Sequence, residues 1–126
     1  MYNDPVWVDE SKTVILFEYH EPVSVQDIIE SQNKAAVMLG AVEQSVQFIV
    51  DLRDMKSMPR DLVSNYPAMS RGAMFKQKNF DRVVMVMDNS FMEAIISIFS
   101  RLYVKLEFVR TIEQANQNVG VDQSAH

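Results

Sequence analysis

Two unbroken apolar runs of strand length, Val14-Ile15-Leu16-Phe17 and Val83-Val84-Met85-Val86-Met87, constrain this chain more than any other feature. A strand with one wet face alternates apolar and polar residues, whereas a strand apolar at every position needs cover on both faces. Such strands belong inside a sheet flanked by helices, so the chain is read as an α/β protein. Its 126 residues suffice for a single core, and no linker, repeat or low-complexity stretch divides them, so residues 1–126 are read as one domain.

The remaining elements fall into place around these runs. Val6 to Val8 and Thr13 to Tyr19 read as a β-hairpin turning through Asp9-Glu10-Ser11-Lys12, with the first strand at the sheet edge. Ser24 and Asp27 can cap a helix whose inner face carries Val25, Ile28, Ile29, Ala36 and Leu39, with Gly40 as its left-handed terminator. Val46 to Leu52 is the third strand. Met58-Pro59-Arg60-Asp61 opens a second helical region that Pro67 interrupts. The second apolar run is the fourth strand, and Ser90 with Glu93 caps a third helix reaching Tyr103. Val104 to Val109 alternates as a half-exposed fifth strand, and Thr111 with Gln114 starts a short last helix, leaving 119–126 as a frayed tail. The order ββαβαβαβα predicts a five-stranded mixed sheet, an N-terminal hairpin followed by parallel strands, with about four helices.

Composition narrows the function. Twelve basic against 17 acidic residues give a net charge of −5, with no Lys/Arg cluster to meet a row of phosphates, so nucleic acid is not an expected partner. Without cysteine there is no disulfide, thiolate metal site or cysteine nucleophile, and a cytoplasmic location is the default reading. The first residues lack a signal-peptide pattern, and no apolar run approaches the roughly 18 residues of a membrane span. Glycine occurs only at Gly40, Gly72 and Gly120, which excludes a glycine-rich phosphate loop, and no cofactor is predicted.

Phe48-Ile49-Val50-Asp51-Leu52, the stretch Phe80 to Val86, Phe91-Met92-Glu93-Ala94 with Ile98-Phe99, and the segment Val104 to Ala115 together resemble the STAS superfamily, more closely its SpoIIAA-like branch of small bacterial proteins. The resemblance covers Val6 to about Val119 and rests on hydrophobic patterning in order. It implies a SpoIIAA-like fold and a binding or regulatory role. Anti-sigma-factor antagonists of that superfamily carry an Asp-Ser-Ser/Thr-Gly phosphoswitch after the aspartate-ended strand. Here the stretch reads Asp54-Met55-Lys56-Ser57-Met58-Pro59, so the motif is missing and Ser57 is only the nearest hydroxyl. A strand-ending Asp51 also resembles a receiver phosphoacceptor, but Glu18-Tyr19-His20-Glu21 supplies no acidic pair and Arg110-Thr111 no lysine.

Ligands of open α/β sheets favour the crevice beyond the carboxyl ends of parallel strands. That rule selects Asp51, Arg53 and Asp54, then Asp88 and Asn89, and finally Arg110. Three carboxylates on one edge are able to hold Mg²⁺, although loop Asp and Asn more often satisfy turn N–H groups, and no metal site is assigned. His20 is most simply a loop residue, and its distance in sequence from His126 argues against a histidine metal site.

Two features stand out from this background. The apolar residues of the third helix cover an arc of about 200°, roughly twice what a surface helix needs, so Met92, Ile96, Phe99 and Tyr103 are candidates for a homodimer contact. Met55, Met58, Tyr66, Met69 and Met74 surround the second helical region and are able to form an adaptable lid over an apolar ligand, although methionine also simply fills core gaps. Lipid binding by the related CRAL-TRIO proteins bears on that lid. The leading expectation is a non-enzymatic STAS-like regulatory or protein-interaction module, with an apolar-ligand or lipid binder as the alternative.

Overall fold

The computed structural model describes residues 1–55, 64–65, 72–87 and 106–120. Along them run β1 (Tyr2–Trp7), β2 (Val14–His20), α1 (Val25–Gly40), β3 (Val46–Asp54), α2 (Ala73–Lys76), β4 (Phe80–Val86), β5 (Leu106–Val109) and α3 (Ile112–Asn118). The strands form one five-stranded sheet in the order β1-β2-β3-β4-β5. β1 is antiparallel to β2, and β2, β3, β4 and β5 are parallel in succession. The fold is therefore α/β with a mixed sheet, and both apolar runs lie in interior strands.

β1 is an edge strand and is built as one. Pro5 has no N–H to offer a ladder, and the β1–β2 register shifts between Asn3 and Val6, which blunts the edge. The strand starts at Tyr2, four residues before the start read from the sequence, because its exposed Asn3 and Asp4 break the apolar pattern while the backbone still pairs Tyr2 with Tyr19. Asp9 holds the hairpin turn, its carboxylate accepting from the backbone N–H groups of Thr13 at 2.9 Å and Val14 at 3.2 Å, and from the Thr13 hydroxyl. Burial pushes the Asp9 carboxyl up, but these bonds outweigh it and hold the group below the usual carboxylate range.

Each interior strand sends alternate side chains to opposite faces. One face carries Ile15, Phe17, Phe48, Val50, Val83 and Met85, which pack with Val25, Ile28, Ala35 and Leu39 of α1 and with Met74 of α2. A row of rings crosses this face: the centroids of Phe17 and Phe48 lie 5.5 Å apart and those of Phe48 and Phe80 5.2 Å. The other face carries Val14, Ile49, Val84 and Val86 beneath Ala115 and Val119. At about 1.5–3 kcal/mol for each large side chain removed from water, these two layers are the main stabilising term.

The helix starts follow their local sequence. Ser24 and Asp27 form a reciprocal capping box on α1, and Thr111 and Gln114 form another on α3. The far end of α1 differs from the expectation. Gly40 is helical and not in the left-handed region, Ala41 is the C-cap, and the Asn79 side chain donates to the carbonyls of Leu39 at 3.1 Å and Val42 at 3.2 Å. A side chain from a distant loop thus does what a left-handed glycine does locally. Gly120, with φ of 81°, has that role after α3, and Val119 just before it is buried, so the packed chain extends past the expected start of the tail.

Three helices lie among the described residues, against the four expected; the predicted helix from Ser90 to Tyr103 lies outside them. Among the described residues no helix is long and apolar enough to cross a membrane.

Candidate functional site

The parallel pairing of β2 and β3 brings together residues more than thirty positions apart. Glu18 stands opposite Asp51, and after a register shift His20 stands opposite Asp54. Both strands end here, at the carboxyl edge of the sheet. A cleft of about 380 Å³ opens between them, lined by Glu18, Tyr19, His20, Asp51, Arg53 and Asp54.

Asp51 is buried at 9% exposure, and a buried carboxylate must find compensation. Arg53 provides it as a fork, its Nε donating to Oδ1 at 2.9 Å and its Nη2 to Oδ2 at 2.8 Å, while its backbone N–H donates to Oδ1 at 3.1 Å. Two parallel charge-assisted bonds fix both groups in orientation as well as charge. Both Asp51 oxygens are thereby occupied.

His20 Nδ1 lies 2.7 Å from Asp54 Oδ2. An ionised carboxylate can only accept, so Nδ1 carries the proton in this bond, and Nε2 is the ring nitrogen left for a ligand. Tyr19 lines the cleft as well, while its side chain packs in the core on the α1 side. Its hydroxyl is 2.5 Å from Ser31 Oγ, and Ser31 donates its own proton to the Ile28 carbonyl at 2.8 Å, so Tyr19 is the donor and is anchored to α1. Glu18 is half-buried and has no ion-pair or hydrogen-bond partner among the described residues.

Of the strand-end candidates, Asp51, Arg53 and Asp54 converge in this cleft. Arg110 lies elsewhere, in a groove of about 520 Å³ beside α3 with Phe108, Gln114 and Asn118. Asp88 and Asn89 lie outside the described residues, as do Ser57, the lid residues Met58, Tyr66 and Met69, and the interface residues Met92, Ile96, Phe99 and Tyr103. The other two lid residues, Met55 and Met74, are 4% and 2% exposed and sit in the main core cluster. Among the described residues no three His, Asp or Glu side chains are placed to hold a metal ion.

Glu18 and His20, with Tyr19 between them, are the cleft residues that sequence reasoning missed. His20, expected in a loop, is the last residue of β2 and is paired with Asp54. Their signal in the sequence was their i, i+2 spacing at a strand end, which places both on one side of the strand.

No protein-family model, no curated protein and no solved structure matches this chain.

Proposed function

We propose that the chain is a non-enzymatic STAS-like regulatory or protein-interaction module whose recognition surface includes the cleft at the carboxyl ends of β2 and β3. The observation that carries this reading is the mutual commitment of four side chains there. Asp51 is held by Arg53 and His20 by Asp54, in bonds of 2.7–2.9 Å. Groups locked in pairs form a preorganised polar surface, and preorganisation lowers the ordering cost of binding. The hairpin-then-parallel sheet agrees with the resemblance on which the module reading began.

The test is quantitative affinity capture with the wild-type chain and with His20→Ala/Arg53→Ala, both checked for folding by circular dichroism. A protein bound by the first and lost by the second supports the reading; identical captured sets overturn it. The module is further proposed to be a homodimer through Met92, Ile96, Phe99 and Tyr103, a reading supported by the width of the apolar arc in the sequence. Light scattering that finds a strict monomer at high micromolar concentration would refute the dimer alone.

A further inference from the structure

We propose that the same cleft is a binding site for a small ammonium or guanidinium group, held by the Glu18 carboxylate and His20 Nε2. The site's role as a recognition surface rests on the reading above, whereas its ligand chemistry follows from which polar atoms remain unspent. Asp51 and Arg53 neutralise each other through two bonds and offer no net charge. Asp54 is engaged by His20 Nδ1 at 2.7 Å, so in the neutral ring the proton sits on Nδ1 and Nε2 is left as an acceptor. Glu18 adds a half-buried carboxylate with no partner among the described residues. The lining therefore carries a surplus of acceptors and of negative charge in a space of about 380 Å³, large enough for one alkylammonium or alkylguanidinium group.

The required ligand is thus a cation that is also an N–H donor. Glu18 and His20 both line the cleft, where a carboxylate oxygen and an imidazole nitrogen each accept one hydrogen of such a group, and charge-assisted bonds to a half-desolvated carboxylate are the stronger kind. Anions face Glu18 and Asp54 and are disfavoured. A cation without N–H groups meets the charge but leaves Nε2 unbonded. Asp54 does not touch the ligand in this arrangement; it is a positioning residue acting through the ring.

The experiment is an NMR titration of the full chain with n-butylammonium, n-butylguanidinium, tetramethylammonium and a blocked single-arginine peptide. The two N–H donors are expected to move the Glu18 and His20 signals with a Kd of about 1 mM, and tetramethylammonium to bind at least about tenfold more weakly. Glu18→Gln, which keeps size and shape, is expected to weaken both donors about tenfold. Asp54→Ala should shift the His20 nitrogen resonances toward the other tautomer and weaken binding by a smaller factor, whereas Val37→Ala, on the outer side of α1, should change nothing. If the peptide binds like the free probes, the cation can be a side chain of a partner; if only the free probes bind, the site takes a small molecule. Either result supports the site. No response to any N–H donor at about 10 mM, equal binding of tetramethylammonium, or unchanged affinity in Glu18→Gln overturns it. Because only purified components are used, this failure would leave the capture result for the wider module standing.

Discussion

Gln32 occupies a position on the buried side of α1 that a physical reading of the helix assigns to an apolar residue. Ile28 and Ala36, one turn before and after it, are 6% and 8% exposed, and Gln32 itself is 3% exposed. Its Nε2 is buried without a hydrogen-bond partner among the described residues. A buried donor left unsatisfied costs about 1–3 kcal/mol, because the water it had in the unfolded chain is not replaced. Methionine has nearly the same length and flexibility and no donor, so Gln32→Met removes that cost with little change in packing. Allowing for imperfect fit, a gain of about 1–2 kcal/mol is expected. With an unfolding entropy of about 2.1 cal/mol/K per residue, that gain raises Tm of a chain this size by about 4–8 °C. Differential scanning calorimetry reads it directly, with urea unfolding as a check that the slope is unchanged. A Tm at or below that of the wild type, with the fold retained, would refute the reasoning, since it would mean that the amide already has a partner such as an internal water.

Further expectations concern single contacts. Removing the N-cap hydroxyl with Ser24→Ala should cost about 0.5–2 kcal/mol by urea unfolding, since Ser24 Oγ accepts from the Asp27 N–H at 3.0 Å. The folded-state pKa of Asp9 is depressed from 3.8, so its contribution to stability is complete above that value and is lost as pH falls through the lower folded value. Unfolding midpoints of the wild type and Asp9→Ala should accordingly differ at neutral pH and converge in strong acid; a gap independent of pH would count against the assignment. Arg82 ties α3 to the sheet, donating to Gln47 Oε1 at 2.6 Å, to Glu107 Oε1 at 3.1 Å and to the Asn118 carbonyl. Arg82→Ala should speed hydrogen exchange across Ile112–Asn118 while leaving β2 and β3 protected.

What the sequence by itself determined is whatever depends on neighbours a few residues away. The runs at Val14 and Val83 specified interior strands because a face apolar at every position has nowhere else to go. The Ser24–Asp27 and Thr111–Gln114 boxes specified two helix starts because their bonds span three residues. The strand-end rule picked Asp51, Arg53 and Asp54, since position at a strand terminus is local too.

Tertiary structure decided the rest. His20 meets Asp54 only because β2 and β3 are parallel neighbours with a register shift between Glu18 and His20, and no pattern in either strand encodes that shift. Asn79 replaces the expected left-handed glycine at the end of α1 through bonds spanning 40 and 37 residues. In each case the energy lies in a contact between segments remote along the chain, so its partner exists only once the sheet has assembled.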